Sequence, residues 1–194
     1  MTHQSELALL VLHGTRILGF ADTDRVAGRF GLDEHDVSEE LLDHQARGWV
    51  TRSSFGGVGG WGLTEAGRVH DEHLLTKELD AAGARAQVEA AHADFLPLND
   101  DVTRVCTAVQ LVDGDDEVGS ALDDLARAAD GLATIERSVV DRLYRFAGYH
   151  QRFTHAVAQG RADRAWITGV DRDSAHRVWF ELHEDLIATL GLSR

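Results

Sequence analysis

The chain has 194 residues, of which 43% are hydrophobic and 27% are charged, and its formal net charge is −14 at pH 7. This length suffices for one sizeable hydrophobic core or two small ones, and the composition does not indicate disorder. The acidic balance argues against nucleic-acid binding, because phosphate contacts normally come from clustered Lys and Arg. The first 75 residues are themselves acidic, with six Arg, no Lys and twelve Asp or Glu.

The amino terminus lacks the basic flank of a signal peptide, and the apolar run from Leu7 to Leu12 is too short to span a membrane. The single cysteine, Cys106, excludes an internal disulfide and agrees with a reducing compartment. We therefore expect a soluble, cytoplasmic protein with no membrane partner.

The first 50 residues carry the signals of three helices. A first helix is expected from Ser5 to Leu18, with Ser5 as its cap, and its many apolar positions indicate burial. A short helix from Asp24 to Phe30 ends at Gly31, which suits a left-handed cap. Asp33 then caps a longer third helix that ends at Gly48. A short helix, a glycine turn and a longer helix form a helix-turn-helix.

A β-hairpin is expected after the third helix. Residues 49–55 alternate apolar and polar side chains, as in a half-buried strand, and residues 61–64 return after a glycine-rich tip. Gly57, Gly59 and Gly62 have the spacing of a dinucleotide-binding motif, but a strand follows them where that motif requires a helix. A hairpin tip with unusual backbone angles is the favoured interpretation.

Three short sequence blocks occur in order within this region. They read Val37-Ser38-x-x-Leu41, Ala46-Arg47-Gly48-Trp49-Val50-x-Arg52 and Leu63-Thr64-x-x-Gly67-Arg68. These blocks resemble the winged helix-turn-helix of MarR-type and PadR-type bacterial transcription regulators, and the resemblance covers residues 5–75. It implies double-stranded DNA as the partner, and a helix after the winged domain that leads to a region of homodimer formation.

The candidate DNA contacts lie on the second and third helices and on the wing. They are Arg29, His35, Ser38, Glu39, Arg47, Arg52, Ser53 and Ser54. An internal ion pair with a nearby carboxylate such as Asp43 is an equally good interpretation of Arg47 and Arg52. Glu39 and Glu40 stand where such regulators often carry basic or polar residues. They argue against sequence-specific contact by this helix, although a Glu can accept a hydrogen bond from a cytosine amino group.

The composition after residue 64 predicts helices almost throughout. A helix capped by Thr64 runs to about Phe95, bent or divided at Gly83, and the run then breaks around Pro97. We therefore expect a winged helix-turn-helix domain at 1–75, a linker helix at 76–96 and a helical domain for dimerisation or effector binding at 97–194. The fold class is mainly α, with a small β-hairpin wing and a carboxy-terminal helical bundle.

Within the second half, Cys106 lies on an apolar stripe and is interpreted as a packing residue. Residues 112–118 are interpreted as a solvated acidic loop, because they lack the ligand spacing of a calcium loop. Further helices are expected at 119–147 and 149–159. The last helix is capped by Asp173 or Ser174 and ends at Gly191.

The last segment is the densest in functional side-chain types. Trp166, His176 and Trp179 are the candidate effector-binding residues, since aromatic walls with a few polar groups suit small ligands. His176 and His183 are seven residues apart, a poor spacing for a shared metal ion, and a packed helix with exposed histidines is the favoured interpretation. No metal site or cofactor is predicted.

These patterns favour a dimeric DNA-binding transcription regulator that responds to a small-molecule effector. A winged-helix module that binds protein partners instead of DNA is the main alternative, since it would explain the acidic third helix. A metal-dependent or small-molecule enzyme in the helical half is the weaker alternative. The sequence contains no recognisable catalytic arrangement, and we expect no enzymatic activity.

Overall fold

The computed structural model describes residues 2–55, 57–111 and 115–192, and this part of the chain is mainly helical. The helices are α1 (Leu7–Leu18), α2 (Thr23–Phe30), α3 (Glu34–Ala46), α4 (Glu65–Ala82), α5 (Arg85–Leu111), α6 (Asp115–Val140), α7 (Tyr149–Gly160), α8 (Ala165–Thr168) and α9 (Ala175–Leu190). The strands are β1 (Phe20–Ala21), β2 (Val50–Phe55) and β3 (Val58–Leu63). A short 3-10 helix covers Tyr144–Phe146.

The described strands form an antiparallel sheet in the order β1-β3-β2. Arg52 pairs with Trp61 across the predicted hairpin, and Gly57 at its tip has a φ of +84°. Gly59 lies inside β3, which agrees with a hairpin and not with a phosphate-binding loop. The predicted half-buried alternation in β2 is wrong: Val50 is buried, but Thr51 to Ser54 are all exposed.

Short polar residues and glycine set the ends of the first helices. The Asp22 carboxylate accepts from the Arg25 backbone N–H, and Asp33 accepts from the first turn of α3. Gly31 ends α2 in the left-handed conformation, as predicted. The predicted Ser5 cap is wrong, because Glu6 occupies the N-cap position of α1.

The structure explains why the third sequence block contains a glycine at position 67. A Cβ atom at this position would lie 1.9 Å from the Trp49 carbonyl oxygen, which no side chain can tolerate. Thr64 fixes the same junction, since its hydroxyl donates to the Gly48 carbonyl oxygen at 2.7 Å and accepts from the Gly67 N–H at 3.0 Å. The hairpin therefore returns directly against the start of α4.

The buried apolar residues form two cores. One joins α1, α2, α3 and the sheet around Leu12, Leu41 and Trp61. The other runs from Leu79 through α5, α6, α7 and α9. A small cluster of Leu9, Leu75 and Ala188 connects α1, α4 and α9, so the last helix packs against the first.

The predicted helix break around Pro97 is wrong, because α5 continues through it from Arg85 to Leu111. The division occurs earlier, at Gly83, which ends α4 with a φ of +57°. The predicted bend or division at Gly83 is thus confirmed as a division. The division into domains at 1–75, 76–96 and 97–194 remains a prediction.

In the second half, α6 already begins at Asp115, within the predicted acidic loop, and the rest of that loop, residues 112–114, lies outside the described residues. Ser174 caps α9 and Gly191 ends it, as predicted. Cys106 is buried in the core, and burial raises the pKa of its thiol to about 12, as expected for a packing residue. Among the described residues, no helix is long and apolar enough to cross a membrane.

Candidate functional site

The outer face of α3 is acidic. His35 and Glu39 are exposed, Ser38 is half-buried, and the His35 Nε2 atom lies 3.5 Å from a Glu39 carboxylate oxygen. A shallow depression on this face is lined by Leu7, Asp36, Glu39, Glu40, Leu42 and Asp43. The predicted contacts His35, Ser38 and Glu39 are thus accessible, but negative charge surrounds them.

Arg29 does not lie on this surface, and its prediction as a phosphate contact is wrong. Its side chain is buried and donates to the carbonyl oxygens of Ala147 and Arg145, at 3.2 and 3.3 Å. Its guanidinium carbon also lies 4.1 Å from the centre of the Tyr149 ring. Arg29 therefore ties α2 to the carboxy-terminal half.

The wing is the basic part of this region. Arg47, Arg52, Ser53 and Ser54 are exposed, and residues 44–64 contain no Asp or Glu. In the part of the chain that the structure describes, neither arginine forms the alternative ion pair, with Asp43 or with any other carboxylate. Each guanidinium instead lies over a tryptophan ring, at 5.1 Å for Arg47 and 5.5 Å for Arg52. Both positive charges therefore remain available to a ligand.

A cleft of about 730 Å³ opens between α1, α4 and α9. We name it the α1–α9 cleft. Its lining combines apolar and charged side chains with two glycines: Arg16, Ile17, Leu18, Gly19, Arg68, Glu72, Gly169, Val170, His176, Arg177, Phe180, Glu181, Glu184, Ile187 and Leu192.

The structure separates the three residues predicted to bind an effector. His176 is exposed and lines the α1–α9 cleft. Trp179 is buried away from it, where its ring stacks on Phe95 at 4.9 Å and its indole N–H donates to Asn99. Trp166 is half-buried and meets the His155 ring edge-on at 5.3 Å. The expectation of one pocket walled by both tryptophans is wrong.

A set of buried charged side chains joins α1, α4, α9 and the 3-10 helix behind the cleft. We name it the buried charge cluster. Its members are His13, Arg16, Asp71, Glu78, Arg145, Glu184 and Asp185. Asp185 is its centre, since it accepts hydrogen bonds from His13 at 3.0 Å, from the Tyr149 hydroxyl at 2.9 Å, and from Arg145. Burial would raise the pKa of Asp185, but Arg145 and His13 outweigh burial and lower it.

His13 lies between two carboxylates. Its Nδ1 atom is 3.3 Å from Asp71 and its Nε2 atom is 3.0 Å from Asp185, so both ring nitrogens donate when the imidazole is protonated. Burial alone would lower the pKa of His13, but the two carboxylates outweigh burial and raise it. The geometry therefore favours a charged imidazolium in a fully buried site.

Arg16 and Glu184 belong both to the buried charge cluster and to the lining of the cleft. The Arg16 Nε atom donates to Glu184 at 2.9 Å, and its Nη1 atom donates to Asp71 at 3.1 Å. These residues were not among the predicted site residues. The sequence nevertheless indicates them. His13 and Arg16 interrupt a helix predicted to be buried, and buried charges require partners elsewhere in the fold.

No family model, curated protein or solved structure matches this chain. The assignment of function therefore depends on the geometry of the chain itself. Within the described residues, no group of three or more His, Cys, Asp or Glu side chains is arranged to hold a metal ion. The His183 ring instead lies 5.1 Å from the Phe95 ring and 6.3 Å from the His92 ring.

Proposed function

We propose that the chain is a DNA-binding transcription regulator with a winged helix-turn-helix domain over residues 5–75. Two features support this proposal. The elements follow the order α1-β1-α2-α3-β2-β3, and the glycine turn at Gly31 joins α2 to α3. This arrangement leaves the outer face of α3 and the β2–β3 wing free to meet a duplex.

The single observation that carries the proposal is the charge of the wing. Between Asp43 and Glu65 the chain holds two arginines and no carboxylate, while its glycines allow the hairpin backbone to approach a phosphate closely. Arg47, at the end of α3, and Arg52, on β2, therefore make the phosphate contacts. His35 and Ser38 supply the contacts from α3, and Glu39 can accept a hydrogen bond from cytosine.

The proposal includes a homodimer. In each described copy, residues 44–64 offer two arginines without an ion pair, and the acidic α3 face opposes the approach of phosphate. Two copies related by a two-fold axis would double the number of phosphate contacts and read two half-sites of an inverted repeat. A small-molecule effector would then act by changing how the two copies are arranged relative to each other.

The test is a selection of bound fragments from genomic DNA at low salt, followed by affinity measurements on the selected site. Binding is expected to weaken steeply between about 50 and about 200 mM salt. Arg52→Ala and Arg47→Ala should each reduce the slope of log affinity against log salt by about 1. Arg127→Ala is the matched control, because Arg127 is an exposed arginine on α6, outside the winged region. Light scattering establishes the mass of the same preparation.

A second function, the binding of a basic protein partner, is favoured by one specific observation. The α3 face carries Asp36, Glu39 and Asp43 around Leu42, which is 53% exposed. Such a face complements a basic, partly apolar surface better than it complements a phosphate backbone. If folded, dimeric protein selects no DNA at low salt, the regulator proposal fails and this second function takes its place.

A further inference from the structure

The α1–α9 cleft exposes apolar surface that a folded chain normally covers. Val170 is 84% exposed, Phe180 is 48% exposed and Leu192 is 46% exposed. Ile17, Leu18 and Ile187 complete the apolar wall. The volume of about 730 Å³ lies within the range of small-molecule sites, roughly 300–1,000 Å³. Because most of this wall is aliphatic, it suits an alkyl chain better than a stack of aromatic rings.

The carboxylates that line the cleft are already engaged. Glu72 lies 3.2 Å from Arg16, and Glu184 accepts from Arg16 at 2.9 Å. Glu181 accepts from Arg152 at 2.7 Å. A cationic ligand would have to compete with these arginines for each carboxylate.

The basic groups of the cleft divide into engaged and available ones. The Arg177 guanidinium donates to the Val170 carbonyl oxygen at 2.7 Å and to the Leu18 carbonyl oxygen at 3.2 Å. Among the described residues, Arg68 makes only long ion-pair contacts, at 3.8 Å to Glu184 and 3.9 Å to Glu65, and 48% of its side chain is exposed. In the described structure, His176 has no hydrogen-bond or ion-pair partner. The donors available to a ligand are therefore Arg68 and His176.

We propose that the α1–α9 cleft binds an aliphatic monocarboxylate. The carboxylate head lies on the Arg68 guanidinium, which suits two parallel hydrogen bonds. The alkyl chain lies on the wall of Val170, Phe180 and Leu192. A monoanion fits better than a phosphate dianion, because Glu184 lies close to Arg68.

A ligand in the cleft would affect the electrostatics of the buried charge cluster. Arg16 and Glu184 line the cleft and also bond to each other across α1 and α9, so a ligand beside them changes the electrostatics of that contact. The proposed binding of the carboxylate does not depend on the proposed DNA-binding function. Its regulatory meaning rests on the proposed DNA-binding function, since the cleft shares α1 and the start of α4 with the winged region.

The test is isothermal titration of the full chain with octanoate, octan-1-ol and octylamine. Octanoate is expected to bind at least about tenfold more tightly than the alcohol, because only octanoate makes charge-assisted hydrogen bonds, and octylamine is expected not to bind. Arg68→Gln should lower the octanoate affinity to that of the alcohol and leave alcohol binding unchanged. Val170→Asp, at an exposed position that cannot disturb the core, should weaken both. Arg104→Gln, an exposed change on α5 far along the sequence from the cleft residues, is the control and should alter neither.

Equal affinities for octanoate and the alcohol, an unchanged octanoate affinity in Arg68→Gln, or a preference for the amine would overturn the proposal. A complete absence of binding overturns it as well. If Val170→Asp instead converts a dimer into a monomer by light scattering, the cleft is a subunit interface and the ligand proposal fails. If octanoate binds as described but does not change DNA affinity, the site stands and only its link to DNA binding is lost.

Discussion

The outer face of α3 and the buried charge cluster are both rich in carboxylates, yet they differ in what those carboxylates do. On α3, Glu39 and Asp43 are exposed to water, and the His35 contact to Glu39 at 3.5 Å joins two exposed groups. In the cluster, Asp71 and Asp185 are fully buried and bonded to His13 and to arginines. An exposed carboxylate mainly determines which partners can approach, whereas a buried one contributes to the stability of the fold.

The largest effect is expected at Asp185. Asp185→Ala leaves Arg145 and His13 buried without their central partner, and breaking a buried pair typically costs about 3–5 kcal/mol in the free energy of unfolding. Urea unfolding followed by circular dichroism measures the loss. A variant that is already unfolded without urea agrees with the same expectation.

Asp43→Ala is the matched control on α3. Because Asp43 is exposed, its removal should change the free energy of unfolding by less than about 0.5 kcal/mol. Equal losses in the two variants would contradict the contrast between the regions. So would an Asp185→Ala protein as stable as the native chain.

The second effect is a dependence of stability on pH through His13. Its folded pKa is raised above the ordinary value of 6.5 by Asp71 and Asp185. The stabilisation is therefore fully present below pH 6.5 and is lost as the pH rises through the folded pKa. His13→Gln keeps a polar side chain without the charge. The difference in unfolding free energy between native and variant proteins should shrink as the pH is raised from about 6 to about 9.

The difference in unfolding free energy between the native and His13→Gln proteins isolates the effect of His13, because other histidines titrate in the same pH range. Burial lowers the pKa of His44, and burial together with His73 lowers that of His70, so both contribute with the opposite sign. These contributions are common to both proteins and cancel. A difference that stays constant with pH would show that the His13 imidazolium adds nothing to stability.

Local signals in the sequence were enough to predict most of the elements. Asp33, Thr64 and Ser174 act as helix caps because their side chains satisfy backbone N–H groups a few residues away, and Gly31 ends a helix through its own backbone conformation. Pro97 misled the prediction. Its ring weakens a helix locally, but the packing of α5 against α6 and α9 maintains the helix through it.

The candidate sites were harder to predict, because they depend on contacts between residues far apart in the sequence. Arg29 was chosen for its charge, and only the packing of α2 against Tyr149 and the 3-10 helix shows that it is buried. Asp185 meets His13 across 172 positions. Helix periodicity places such residues on a face but does not say which helix that face will meet.

The smallest effect is expected from neutralising the α3 face. Glu39→Gln together with Asp43→Asn removes two negative charges from an exposed surface and should leave the free energy of unfolding nearly unchanged. If the wing arginines carry the phosphate contacts, DNA affinity should rise a few-fold at low salt, because repulsion from the duplex falls. The rise should vanish at high salt. If the double variant instead loses affinity for the selected site but not for other DNA, Glu39 makes a direct base contact. Such a contact is expected of a carboxylate that accepts a hydrogen bond from cytosine.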